Sequence, residues 1–97
     1  MIEVTWSPRA VTDLEEIRAY IAADSTAYAD LTVRRIVASV ERLNVFPDSG
    51  RMVPERRSPG LREVIVGKFR VVYRRKATLV EIATVFRGSR EFPEIEP

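Results

Sequence analysis

LREVIVGKFRVVYRRKATLVEIATVF, residues 61–86, contains three short apolar-rich runs separated by two turn signals. Leu61–Val66 and Phe69–Arg75 flank Gly67-Lys68, and a glycine-bearing pair between two such runs marks a tight hairpin. Lys76-Ala77-Thr78 makes the next turn, ahead of Leu79–Phe86. Val, Ile, Tyr and Phe dominate all three runs, which favours strands over helix. The stretch therefore predicts consecutive antiparallel strands, and the rest of the chain has to pack on or beside them.

Working towards the N-terminus, residues 47–60 read PDSGRMVPERRSPG, rich in proline, glycine and charge, and are expected to form a loop. Fourteen such residues are long for a small domain, and long loops are often functional. Before it, Ala29, Val33, Ile36, Val40 and Leu43 recur in steps of four and three, the stripe of an amphipathic helix that Val45-Phe46-Pro47 closes. Asp24-Ser25-Thr26 supplies its start. An earlier stripe, Ala10, Leu14, Ile17 and Ile21, predicts a helix from about Pro8 to Ala23, with Ser7 as cap and Pro8 at the first helical position. So short a join implies an antiparallel helical hairpin. Ile2, Val4 and Trp6 alternate with Glu3 and Thr5, the period of a half-buried strand. The order is β-α-α-β-β-β, an α+β fold with both helices on one face of a small antiparallel sheet.

The 97 residues suit one domain spanning 1–97, and 45% hydrophobic content supports a packed core. Cysteine and histidine are both absent. No disulfide or thiolate metal site can form, and the commonest general base and metal ligand is missing too, so neither metal nor cofactor is expected. The formal charge is only +2, yet Arg51–Lys76 holds nine cations against Glu55 and Glu63. That segment suggests an anionic partner, nucleic acid or an acidic polypeptide, unless it is simply a solvated surface. No apolar run approaches the roughly 18 residues of a membrane span. The N-terminus lacks the pattern of a signal peptide, so a cytoplasmic location is expected.

The segment PGLREVIVGKFRVVYRRKATLVEIATVFRGSREF resembles the C-terminal half of RelE/ParE toxins, in which a glycine-containing turn leads into an Arg-aliphatic-aliphatic-Tyr strand. Here that core is Gly67-Lys68-Phe69-Arg70-Val71-Val72-Tyr73-Arg74. Ser7-Pro8-Arg9-Ala10 with Asp13-Leu14 and Ile17, and the join Phe46-Pro47-Asp48-Ser49-Gly50-Arg51, fit the same family, so the resemblance covers essentially the whole chain. It implies the toxin of a type II toxin–antitoxin system, held in a hetero-oligomer by an antitoxin encoded beside it. It leaves two mechanisms: RelE-like members are ribosome-dependent mRNA endonucleases, whereas ParE-like members inhibit DNA gyrase and need no catalytic site.

Cleavage by 2′-hydroxyl attack needs a proton acceptor, a proton donor and cations for the phosphate. Arg70 matches the phosphate-contacting strand arginine of RelE-like enzymes, and Arg87 and Arg90 would add cations. The alternatives for Arg70 are a surface charge or a paired, buried arginine. The tail departs from the RelE pattern: no histidine or tyrosine follows Phe86, and Phe92 stands where a proton-donating aromatic is expected. Arginine accepts protons poorly. Glu55 or Glu63 would serve as base only with a raised pKa. Tyr73 reads as a core tyrosine with a satisfied hydroxyl, and Trp6 as core. The residues thus favour the ParE-like branch, with no catalytic set expected and with Arg51, Arg56, Arg57, Arg87 and Arg90 as candidate target contacts. Tyr20, Tyr28 and Leu31 do not all fit the inward stripes and are candidate antitoxin contacts.

Overall fold

The computed structural model describes residues 1–96; Pro97, the last residue of the expected domain, lies outside it. Seven main elements follow in order: β1 (Glu3–Trp6), α1 (Pro8–Ala22), α2 (Thr26–Glu41), β2 (Arg51–Met52), β3 (Leu61–Val66), β4 (Phe69–Arg75) and β5 (Leu79–Arg87). A 3-10 turn at Arg42–Asn44 extends α2. The five strands form one sheet in the order β1-β5-β4-β3-β2.

Two details differ from expectation. The sheet is mixed, because β1 lies parallel to β5 while every other neighbouring pair is antiparallel. The first strand thus enters beside the last in the same sense. The 47–60 segment is also not wholly irregular. Arg51 and Met52 pair with Glu63 and Arg62 as an edge strand, and Val53 is fully buried.

Between β3 and β4 the turn is Gly67-Lys68, with Val66 opposite Phe69. Gly67 takes φ 57° while Lys68 keeps φ negative, the pattern of a turn with glycine at its first central position. This two-residue turn fixes the register of the whole hairpin, so Val71 and Tyr73 face the helices while Arg70 and Val72 face away.

On the helical side, Ala10, Ile36, Val40, Leu43, Val71, Tyr73, Val80, Ile82 and Val85 make the main core, with Trp6, Leu14 and Ile17 packed against it. Each large aliphatic side chain so buried contributes roughly 1.5–3 kcal/mol. The opposite face has a second, smaller core of Val53, Leu61, Val72, Ala83 and Phe86, over which Phe92 and Ile95 of the C-terminal tail pack.

A bulge in β5 joins the two layers. Val72 pairs with Thr84 but Tyr73 pairs with Ile82, so Ala83 is the extra residue. Alternation is re-phased there, and Val85 returns to the helical core while Ala83 joins the other. Helix α1 closes over the bulge. Ser7 caps the helix at Ala10 N and donates its hydroxyl to Ala83 O (3.0 Å). The Asp13 carboxylate accepts from Val85 N (3.0 Å) and from the Thr84 hydroxyl. The Ser7-Pro8 cap and Asp13 thus fix α1 on the sheet and satisfy groups that the bulge leaves unpaired.

Candidate functional site

Arg70 sits on β4 on the face away from the helices and is only 8% exposed. Its Nε donates to Glu63 Oε1 at 2.7 Å. Its two terminal nitrogens donate to the two oxygens of Glu55, each at 2.7 Å, as a bidentate pair. Glu63, whose side chain is fully buried on β3, uses Oε2 to accept from Arg51 Nε (2.8 Å). The Arg70 guanidinium also lies 5.1 Å from the ring centre of Phe86 and 5.5 Å from that of Phe92. Arg70 is thus a buried, paired arginine and not a surface charge.

The hydrogen bonds from Arg70 hold the Glu55 carboxyl down to about 2, well below its usual 4.5. Glu55 is therefore the conjugate of a stronger acid than usual, the opposite of what a general base near neutral pH requires. The same contacts push Arg70 further into its charged range, Glu55 contributing most. A carboxyl with a depressed folded-state pKa adds stability above its unfolded value, and that stability is lost as pH falls from about 4.5 towards 2. Between about pH 5 and pH 2.5, the wild type should lose denaturant resistance more steeply than Glu55→Gln, and parallel curves would show that the pair adds nothing.

Tyr73 is packing, as its strand position suggests. It is fully buried, and its hydroxyl donates to Pro47 O (2.8 Å) and accepts from Gly50 N (3.0 Å). Burial pushes its pKa up.

Most of the remaining site residues divide between two regions. Arg51 is committed to Glu63, and Arg56 donates to Ile95 O (3.2 Å), so both belong to the Arg70 side of the sheet. Arg57 is exposed in the same loop. At the other region, Tyr20, Arg87 and Arg90 come together around a groove of about 420 Å³ between α1 and the ends of β4 and β5. Tyr28 (52% exposed) and Leu31 (37%) are on the surface of α2 and do not line it. Phe69 and Phe86 on its wall were not singled out from sequence, because aromatic residues in strands look like core. Among the described residues, no three acidic side chains gather as a metal site would require.

With this geometry in place, residues 4–92 match the family model for the ParE toxin of the type II toxin–antitoxin system parDE. The chain belongs to the ParE toxin family. A relative from Sinorhizobium fredii (strain NBRC 101917 / NGR234), named "Putative toxin Y4kP", is 32% identical over 93 residues, covering 95% of this chain and 94% of that one. Among solved structures, a chain of the "Chromosomal ParDE TA system from P. aeruginosa" superposes with a TM-score of 0.74 at 26% identity, covering 90% of this chain and 96% of that one. This ParE-family chain is thus a toxin-type member of a type II toxin–antitoxin system, with two helices on a five-stranded mixed sheet.

Proposed function

We propose that this ParE-family chain, acting as a single domain in the cytoplasm, arrests growth by binding DNA gyrase without turnover of its own, and that an antitoxin encoded beside it neutralises it. The observation that carries this reading is the state of Arg70. An endonuclease needs the strand arginine to hold a scissile phosphate, but here a phosphate would have to displace Glu55 and strip the buried Glu63 of a partner. The carboxylate best placed to take a proton, Glu55, is held at about 2. A binding inhibitor needs neither group. It needs a rigid scaffold and accessible charge, which Arg57, Arg87 and Arg90 offer on the surface. Arg51 and Arg56 are the weaker target candidates, being tied to Glu63 and to the tail. For the antitoxin, Tyr20, Tyr28 and Leu31 provide apolar surface on the helical hairpin.

The test uses purified toxin on both targets. Gyrase supercoiling is expected to be inhibited, or gyrase-cleaved DNA to accumulate, while ribosome-bound mRNA stays intact. Cuts at codon positions on programmed ribosomes with gyrase unaffected would establish the RelE-like endonuclease instead. A folded chain inert in both assays, and harmless to growth, would be a non-toxic relative that only binds antitoxin.

A further inference from the structure

The end of the sheet opposite the Gly67-Lys68 turn gathers cations from two elements. There the turn between β4 and β5 meets the loop between β2 and β3, and Arg56, Ser58, Arg74, Arg75 and Lys76 surround a hollow of about 230 Å³. Arg57 is exposed in the same loop. Few carboxylates answer this charge. Arg75 pairs with Asp48 (3.0 Å), while Arg74 (3.4 Å) and Lys76 (3.8 Å) share Glu81. Arg56 and Arg57 have no ion-pair partner among the described residues. Glu96 is a further acid at the margin, its carbonyl accepting from Arg74 and its side chain exposed, whereas Glu94 is tied by its carbonyl to Arg9 of α1.

Backbone carbonyls hold several of these guanidiniums in place. Arg56 donates to Ile95 O (3.2 Å), and Arg75 to the carbonyls of Lys76 and Ala77. Cations fixed in this way lose little side-chain freedom when an anion arrives. Guanidiniums beside an ammonium and the Ser58 hydroxyl are the donors that hold phosphate oxygens. Other anionic ligands fit less well. Leu61 is the one apolar side chain lining the hollow and is only 5% exposed, so an acidic peptide would find charge but no pocket for an anchor. No aromatic side chain lines it, which leaves the bases of a single strand nothing to stack on. Its volume lies below the roughly 300–1,000 Å³ of ligand clefts, too small to enclose a free nucleotide. A duplex needs none of these features, because its bases are stacked inside and its phosphates face outwards.

We propose that this end of the sheet is a contact surface for the phosphate backbone of duplex DNA, with Arg57 and Lys76 as its exposed contacts and Arg56 and Arg74 as guanidiniums held beside them. The proposal rests on the gyrase reading above and deepens it: a toxin bound to an enzyme that handles DNA would rest on the protein and on the duplex together. Phosphate contacts carry no sequence information, so the binding is independent of base sequence.

The test is fluorescence anisotropy of a short labelled DNA duplex titrated with the purified full chain. Neutralising about three phosphates should make affinity fall by roughly 40-fold between about 50 and 200 mM salt. Arg57→Glu with Lys76→Glu is expected to weaken binding by about tenfold or more and to flatten that salt dependence. Both side chains are exposed, so thermal unfolding should be unchanged. Arg34→Glu with Arg35→Glu makes the same change of charge on the exposed face of α2. It should shift affinity less than about threefold, because salt screens a cation beyond about 10 Å. Glu96→Gln removes the acid at the margin and should tighten binding. Equal weakening by the two charge reversals would overturn the proposal, since net charge alone would then account for the binding. Tighter binding of single strands or of duplex RNA than of duplex DNA would overturn it as well. A wild type that inhibits gyrase but does not bind the duplex would remove this surface and leave the gyrase reading standing. One that binds the duplex through these residues and leaves supercoiling untouched would do the reverse.

Discussion

Arg70→Ala is expected to lower the unfolding free energy by about 3 kcal/mol, measured by urea or guanidinium titration at neutral pH. Removing one member of a buried ion pair typically costs about 3–5 kcal/mol, because the other charge stays behind in low dielectric. Glu63 would be that charge, its side chain fully buried. The estimate sits at the low end because Arg51 still reaches Glu63 Oε2, and because Glu55 is 43% exposed and can return to water. Loss of the guanidinium from beside Phe86 and Phe92 also removes packing from the second core. Against a typical total of about 5–15 kcal/mol, such a loss would leave a measurable unfolded fraction in a marginal domain.

A second variant separates scaffold from function. Glu63→Leu combined with Arg70→Met replaces the buried pair with apolar groups, a change often close to neutral. The double variant is expected to recover most of the stability lost in Arg70→Ala, and with it the growth arrest. A stable double variant without toxicity would mean that Arg70 makes an essential contact with the target. A stability loss under about 1 kcal/mol in Arg70→Ala would mean instead that the pairing is worth no more than a surface salt bridge.

Much of this network was within reach of the sequence. Once Gly67-Lys68 is read as a two-residue turn, counting back pairs Val66 with Phe69 and Glu63 with Val72. Glu63 then lies diagonal to Arg70 on one face of the hairpin, within reach of long side chains. The partnership of Glu63 and Arg70 was therefore legible, and so was the face they share. Glu55 was not, because its position depends on how a proline-rich loop folds back over the sheet, which no periodicity encodes. The bulge at Ala83 was hidden for a related reason. It is set by tertiary contacts from Ser7 and Asp13, some seventy residues away, and it breaks the alternation by which strand faces are read. The parallel entry of β1 likewise depends on the path of the whole chain. The groove was not legible because Ile17, Ile21, Phe69 and Phe86 each look like ordinary core, and only the fold brings them to one end of the sheet.

Gly50→Ala is expected to destabilise the fold by about 3 kcal/mol or more, a larger effect than a loop glycine would ordinarily suggest. Backbone conformation is not the reason, since Gly67 is the one described residue with positive φ. The reason is a close approach. A Cβ at position 50 would lie 2.6 Å from the Tyr73 hydroxyl oxygen, 2.7 Å from the Glu63 carbonyl oxygen and 2.8 Å from Tyr73 Cε1. None of these atoms can retreat cheaply. The phenol is fully buried and bound to Pro47 O and Gly50 N, and the Glu63 carbonyl belongs to the β3 ladder. Forcing an extra methyl into a filled core typically costs about 1–3 kcal/mol, and rigid neighbours place this site at the top of that range. The clash would also break the Tyr73 hydrogen bonds, leaving a buried hydroxyl and amide to be satisfied elsewhere. Tyr73→Phe/Gly50→Ala separates the two contributions: removing the hydroxyl relieves the closest contact but leaves the Glu63 carbonyl in place. The double variant should therefore be less stable than Tyr73→Phe alone, yet the added loss should be smaller than Gly50→Ala causes in the wild type. Equal losses in the two backgrounds would mean that the carbonyl, and not the tyrosine, is what keeps glycine at this position.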